Sequence, residues 1–493
     1  MAETASEFFI DLPDEGATGR LAQDVAMRLA AGDVVALSGG LGAGKTTLAR
    51  ALIRTLAGDP DLEVPSPTFT LAQTYVVPGF AVTHIDLYRI GDPAELDELG
   101  LIDAVEAGMA LVEWPENAGD RLPAARLTIE LAMAGAGRRA RLSGDTAILA
   151  RVLRARAAGD FIAAAGFGGA PRRRLAGDAS SRAYERVASA PAAILMDWPA
   201  DGQLDPGDPR RRFRARDVSA FLAVDEALAA AGLSVPRIFA ADRSAGFLLM
   251  EDFGDETIAA GDSPVPERYA VAVEALASLH AAPRPPALPI PGGGTHALPR
   301  FSGDALLAEL TLFADWYAPS VRGRPLASVD WQEFLAIWQT LDSHLAHSEQ
   351  SWTLFDVQSS NLFWLPGRAG IARVGFIDFQ DMFLGPAAYD VASLAFDARV
   401  DVSARLRADL VARYIAARQT RDPAFAVNSF RTAFAICGAV RTMKNMGAFA
   451  RFAAAGKSQY VRHLTRLSGY LAQALAHPVL SPAALWYERH LSS

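Results

Sequence analysis

A single cysteine, Cys437, stands in this chain of 493 residues, so no intramolecular disulfide can form and the usage fits a reducing cytosol. Cys437 lies inside the apolar segment 434–440, where a packed thiol is expected. No apolar run approaches the roughly 20 residues that span a bilayer. The sequence starts acidic, without a basic stretch leading into an apolar one, so no signal peptide is expected. A cytoplasmic location without a membrane partner is the expectation. Positive charge is also short: 47 Lys+Arg against 56 Asp+Glu leave a net charge of −9 and a pI near 5.5. That balance argues against broad binding to nucleic acid or membrane surfaces. Two local basic clusters, 172–174 and 210–212, read as solvated loop arginines. No internal repeat makes the two halves copies of each other.

The length exceeds what one core usually serves, so two or three domains are expected. Residues 7 to about 145 alternate strand and helix patterns. Apolar spacing predicts a helix over 21–31, and Val34–Ser38 reads as a short buried strand. A helix from Thr47 to Leu56, strands over 81–86 and 109–114, and a closing hairpin of 127–131 with 138–142 complete an α/β sheet with flanking helices. The Ala/Arg-rich stretch 146–165 is helical, with Gly159 read as a break between two short helices. A boundary near its start gives domains of 1–148 and 149–493. The second divides into a strand-rich part to about 258, interrupted by a helix over 218–231, and a helical part over 259–493. The Pro/Gly-rich segment 283–299 reads as a loop, either bordering a substrate site or a tolerated insertion.

Two phosphate-handling patterns are present. The first, Gly39 to Thr46, matches G-x-x-x-x-G-K-[ST] in full. Glycines let backbone N–H groups curl around phosphates, and the following helix aims its positive end at the same anion. Gly39, Gly42, Gly44, Lys45, Thr46 and Thr47 are the candidate ATP contacts. Lys45 reaches the β- and γ-phosphates, and Thr46 offers a hydroxyl to Mg²⁺. The motif follows a predicted strand and opens a predicted helix, the context it requires.

Downstream stand Val64-Pro65-Ser66-Pro67-Thr68-Phe69-Thr70, then His84-Ile85-Asp86-Leu87-Tyr88-Arg89, then Val112-Glu113-Trp114-Pro115-Glu116. With the glycine loop, this ordered set over residues 7–145 resembles the TsaE family of P-loop ATPases in bacterial tRNA threonylcarbamoyladenosine synthesis. The resemblance implies that Asp86 coordinates Mg²⁺, that Thr68 lies in a switch-like loop near the γ-phosphate, and that Glu113 polarises water. Trp114 would close the site or pack a strand end, and His84 would orient the loop. TsaB- and TsaD-like partners are implied, with tRNA reached only through them. Gly40 departs from the family's usual Asp, at a position that is not a phosphate ligand.

The second pattern is Asp356-Val357-Gln358-Ser359-Ser360-Asn361, followed by Asp378-Phe379-Gln380 after a strand. Phosphoryl transfer to a hydroxyl needs an Asp at the acceptor and metal ligands on the phosphates. Asp356 is the candidate base, and Asn361 and Asp378 are the candidate metal ligands. Residues 177–182, with Ser180 and Arg182, would cover the phosphates. The strand through Glu251 in 246–252 resembles an interlobe hinge holding adenine. His280 is read as structural. This implies a bilobal protein-kinase-like fold, that of the aminoglycoside phosphotransferases. A narrower likeness lies in Gly177-Asp178-Ala179-Ser180, Leu195-Met196-Asp197-Trp198-Pro199, Phe376 to Asp381, Gly385 to Asp390 and Asp397-Ala398-Arg399, with Arg441, Lys444, Gly447, Phe449 and Arg451. These resemble the AmgK family, the anomeric kinases of N-acetylmuramate and N-acetylglucosamine in cell-wall recycling, over about 150–493. The resemblance implies an amino-sugar acceptor. Leu354 stands where kinases have His, and 193–197 lacks the usual phosphate-pairing Lys, for which Arg182 is the candidate substitute. Arg441 and Lys444 would grip an acceptor's anionic group or face solvent. Two alternatives stand beside this: an aminoglycoside or choline-like kinase using the acidic Asp304, Glu309 and Asp315, and a pseudokinase scaffold for the ATPase domain.

Overall fold

The computed structural model describes residues 7–92, 95–96, 105–106, 108–175, 182–199 and 208–491. The chain divides into two compact units, Met1–Asp197 with Ile238–Glu251, and Trp198–Arg237 with Asp252–Ser493.

In the first unit, strands β1 (Glu7–Leu12), β2 (Val34–Ser38), β3 (Ala72–Val77), β4 (Phe80–Asp86), β5 (Gly108–Glu113), β6 (Leu127–Ala134) and β7 (Gly137–Gly144) form one sheet in the order β1-β7-β6-β2-β5-β4-β3. The central strands β6, β2, β5 and β4 run parallel. Such strands are covered on both faces, so they read as continuous apolar runs rather than alternating ones. Val35, Leu37 and Leu111 enter one core with Leu48, Leu52 and Ile53, while Val34, Ala110 and Val112 enter the core on the opposite face with Ile85. Helix α1 spans Glu15–Ala26, earlier than the 21–31 expected, because the Asp14 carboxylate caps it by accepting from the Ala17 N–H at 2.7 Å. Helix α2 (Lys45–Ala57) follows the glycine loop and ends on Gly58 in the left-handed conformation.

Helix α3 (Thr146–Ile162) runs unbroken through Gly159, against the expected break. A Cβ on Gly159 would lie 2.9 Å from the Arg172 guanidinium, so this glycine makes room for a side chain rather than ending a helix. The second sheet of this unit is β8 (Arg172–Leu175), β9 (Ala183–Val187), β10 (Ala193–Asp197), β11 (Ile238–Asp242) and β12 (Phe247–Glu251), antiparallel in the order β11-β12-β10-β9-β8. Helix α3 packs on it through Phe161, stacked on Phe247 at 5.6 Å, with Arg154 over the same ring.

A buried ionic network ties α1 to this sheet. Arg172 donates to Glu185 at 2.8 Å and to Asp24 at 3.0 Å, Arg28 lies 3.4 Å from Asp197 and 3.6 Å from Glu185, and Arg154 reaches Asp197 at 2.6 Å. Arg172 is therefore not solvated as expected, and neither is Arg210, which is buried against Asp208. Each arginine is tied down by carboxylates rather than water. Burial pushes Asp24 up to about 6, with Arg172 opposing. Arg172→Ala leaves two buried acids short of a partner, and loses about 3–5 kcal/mol of stability. Chemical denaturation of the full chain measures this, and an unchanged midpoint would contradict the network's role.

The second unit is mainly helical. Helix Val218–Ala230 matches expectation. The 28-residue helix Val427–Ala454 runs through its core. Gly447 on that helix meets the backbone of Leu312, where a Cβ would lie 2.2 Å from the carbonyl carbon, so only glycine lets the helix Gly303–Leu312 approach so closely. Strand Gln350–Thr353 pairs with Phe383–Pro386, and Leu362–Trp364 with Val374–Phe376. The segment 283–299 is not a plain loop: Ala287–Pro289 and Thr295–Ala297 pair as a hairpin turned by Gly292, Gly293 and Gly294, all at positive φ. Cys437 is buried, and burial pushes its thiol up. No helix of the described residues is long and apolar enough to cross a membrane.

Candidate active sites

The parallel strands deliver the first site. In register, Asp86 of β4 stands opposite Glu113 of β5, so two carboxylates meet at the carboxyl end of the sheet beside the glycine loop. Gly39, Gly42 and Gly44 have φ of 132°, 76° and 105°, values other residues rarely adopt. The Lys45 ammonium lies 2.7 Å from the Gly39 carbonyl oxygen, 3.0 Å from that of Gly40 and 3.6 Å over the Trp114 ring. Burial lowers its pKa, opposed by Glu113. Thr46 donates to Glu113 at 3.0 Å, and His84 Nε2 meets the other oxygen of Glu113 at 2.9 Å. His84 thus orients the carboxylate of Glu113, rather than a loop. Thr68 donates to Asp86 at 2.9 Å, and the Tyr88 N–H donates to the other Asp86 oxygen at 3.0 Å. Thr47 follows on α2, half-buried. Trp114 holds a φ of 57°, a strained conformation that throws its ring across Lys45. Arg138 of β7 was missed: its Nε donates to the Ala43 carbonyl at 3.1 Å and braces the loop from a strand that carries no motif.

In the second unit a buried frame fixes the loop around Asp356. Asp390 accepts from the N–H groups of Leu354 and Phe355 at 2.8 and 3.1 Å. His280 supports Asp390 at 3.3 Å through Nε2 while its Nδ1 meets the Tyr414 hydroxyl at 2.8 Å, so it is structural as expected. Asp397 accepts from the Ser359 N–H at 2.6 Å. Phe355, next to Asp356, and Asp378 itself have φ of 76° and 60°, values in the left-handed region that residues other than glycine rarely adopt. Asn361 Nδ2 donates to the Asp356 carbonyl at 3.0 Å and approaches Asp378 Oδ2 at 3.4 Å. Gln380 donates to Asp378 Oδ1 at 3.0 Å.

Cations crowd Asp356. Arg441 donates to its Oδ1 at 2.6 Å and to the Phe355 carbonyl at 3.0 Å, and Lys444 stands 3.4 Å from the same Oδ1. Lys444 also lies 3.6 Å from Glu309, which Arg214 holds at 2.6 Å. Burial alone would raise the Asp356 pKa, but Lys444, Arg441 and Arg214 hold it well below the usual carboxylate range. Neither Arg441 nor Lys444 lies on a solvated face. Glu309 is buried and held by Arg214, while Asp304 is exposed and pairs with Arg212 at 3.2 Å on the surface. A pocket beside the loop is lined by Phe213, Arg214, Arg300, Phe301, Glu309 and Phe355.

Arg182 and Glu251 lie in the first unit, Arg182 just before β9 and Glu251 at the end of β12, where it pairs with Ala193 of β10. Ser180 lies outside the described residues, as do Gly177, Asp178 and Ala179. Asp197 of the lysine-less strand is occupied by Arg28 and Arg154.

Both sites fit a nucleotide with a divalent metal. The first has a cradle of left-handed glycines at a helix start with a hydroxyl and two carboxylates near it. The second brings the Asn361 side chain within 3.4 Å of an Asp378 carboxylate oxygen through its amide nitrogen. Among the described residues no three His, Cys, Asp or Glu gather as a metal cage. A metal that shares its shell with phosphate oxygens and water needs only one or two protein ligands.

Residues 12–141 match the family described as "Threonylcarbamoyl adenosine biosynthesis protein TsaE", and residues 172–424 match the "Phosphotransferase enzyme family". The N-acetylmuramate/N-acetylglucosamine kinase of Caulobacter vibrioides is 35% identical over 354 residues, covering 67% of this chain and 95% of that protein. The tRNA threonylcarbamoyladenosine biosynthesis protein TsaE of Rickettsia bellii is 38% identical over 120 residues, covering 24% of this chain and 83% of that protein. The corresponding protein of Rickettsia felis is 42% identical over 105 residues, 21% of this chain and 61% of that protein.

Proposed function

Since the chain belongs to the TsaE family through residues 12–141 and to the phosphotransferase enzyme family through residues 172–424, we propose that it joins an ATPase of tRNA threonylcarbamoyladenosine synthesis to a kinase for the anomeric hydroxyl of N-acetylmuramate or N-acetylglucosamine. The working boundary between the two modules is 148/149, in the first turn of α3. The observation that carries the reading is the second loop: Asp356, Asn361 and Asp378 stand together, pinned by Asp390 and Asp397. A scaffold would have no need of that set.

Mg²⁺ is the metal in this reading, and when bound it offsets phosphate charge at either site. In the first, Thr46 and Asp86 hold it, Lys45 and the loop N–H groups bind phosphate, and Glu113, oriented by His84, positions water. In the second, Asn361 and Asp378 hold it and Asp356 meets the acceptor hydroxyl. Arg182, Ser180 and Glu251 are the proposed nucleotide contacts of the same module. TsaB- and TsaD-like proteins are the proposed partners of the ATPase, with tRNA reached through them and the whole in the cytoplasm.

The test is product identification with the full chain, ATP and Mg²⁺, offering N-acetylmuramate, N-acetylglucosamine and an aminoglycoside panel. The reading expects a sugar 1-phosphate. Phosphorylated aminoglycoside alone would reassign the second module.

A further inference from the structure

Arg300 stands at the rim of the pocket beside the Asp356 loop. It is exposed, and its guanidinium forms no hydrogen bond or ion pair among the described residues. The other cation lining the pocket, Arg214, is committed to Glu309 at 2.6 Å. The backbone of Arg300 is nevertheless fixed. The Leu384 N–H donates to the Pro299 carbonyl at 2.9 Å and the Phe301 N–H donates to the Leu384 carbonyl at 2.8 Å, which clamps residues 299–301 onto the strand Phe383–Pro386. Gly385 admits this approach, since a Cβ there would lie 2.8 Å from that of Phe301. The wall is aromatic: Phe301 stacks on Phe383 at 5.2 Å, Phe355 meets Phe383 at 5.6 Å, and Phe213 adds a further ring. Glu309 adds a buried acceptor. Its Oε2 takes no hydrogen bond among the described residues, with the Lys444 ammonium 3.6 Å away. A buried acceptor left over in this way calls for a donor from outside the protein. The Pro/Gly-rich stretch 283–299 runs into this wall, because Pro299 lines the pocket.

We propose that this pocket is the subsite for the body of the acceptor, and that Arg300 determines its specificity by pairing with a carboxylate on the sugar. The proposal rests on the kinase reading above and chooses between its two sugars. N-acetylmuramate differs from N-acetylglucosamine by a lactyl ether on O3, which ends in a carboxylate and leaves the anomeric end unaltered. A guanidinium is the side chain best shaped for a carboxylate, because its fork offers two parallel N–H donors. The aromatic rings suit the apolar C–H face of a pyranose, and Glu309 Oε2 suits a hydroxyl or acetamido N–H that both sugars carry. Apolar walls with a few placed polar groups are the usual build of a small-molecule site. Arg300 forms no bond to Asp356, Asn361 or Asp378, so it acts on which sugar binds and not on the transfer itself.

The test measures kcat and KM of the full chain with ATP, Mg²⁺ and each of the two sugars. The native protein should favour N-acetylmuramate in kcat/KM by about tenfold or more, the scale of one hydrogen-bonded pair with a charged group. In Arg300→Gln that preference should disappear through a raised KM for N-acetylmuramate, with kcat for this sugar and both constants for N-acetylglucosamine as in the native protein. Arg300→Lys keeps the charge without the fork and should retain part of the preference. No native preference for N-acetylmuramate, or a Gln variant that loses both sugars equally or neither, would overturn the inference while leaving the sugar kinase standing. Failure of the native protein to phosphorylate either sugar would overturn the kinase reading and this inference with it. The Arg300 side chain holds no other element, so both variants should melt as the native protein does, and the native comparison of the two sugars decides without them.

Discussion

Asp356→Asn should lower sugar phosphorylation by at least about 10²-fold, the scale of one positioned group lost at the reacting atom. Asparagine keeps the shape but removes the negative charge, so Arg441 loses its paired carboxylate and Lys444 is left with Glu309 at 3.6 Å. The variant should still fold, since Asp390 and Asp397 hold the loop backbone independently of this side chain. Rates with saturating amino sugar, alongside a melting curve, measure it. ATP hydrolysis by the first site should be unchanged, because none of its residues takes part. A fall in both activities would indicate general damage, and a native sugar rate would remove Asp356 from the reaction.

The second large effect belongs to Lys45. Lys45→Ala should cut ATP hydrolysis by about 10²–10³-fold, the usual loss when a preorganised charge or donor on the transferring group is removed. The ammonium lies between the Gly39 and Gly40 carbonyls and the Trp114 ring, so the substitution removes the positive charge the glycine loop holds. Sugar phosphorylation should not change. Steady-state hydrolysis with the proposed partner proteins present reads the first, and sugar 1-phosphate formation reads the second. Undiminished hydrolysis would place the ATPase chemistry elsewhere.

The order of strands and helices in the first sheet was legible because its signals are local: a buried run at 34–38, a glycine loop, and carboxylates at two strand ends. The loop 356–361 and Asp378 were legible for the same reason. What escaped depends on partners far apart in sequence. Asp390 serves backbone groups 35 and 36 positions away, and His280 serves Asp390 across 110. Arg172 reads as solvated until Asp24, 148 positions away, is brought against it. The same guanidinium explains Gly159, a residue that resembles a helix break in sequence and is a space for a neighbour in three dimensions. The early start of α1 was visible in Asp14, a capping residue outweighed by apolar spacing in the reading of 21–31. Arg441 and Lys444 were visible as a motif, but their target was not: they turn inward to Asp356.

The central claim is that one chain carries two separate nucleotide sites. Native mass spectrometry of the full chain with Mg²⁺ and a non-hydrolysable ATP analogue tests it most directly. The account predicts two nucleotides per chain, falling to one in Lys45→Ala, one in Asp378→Ala and none in the double variant. One nucleotide per native chain, or a single substitution that removes both, would contradict it.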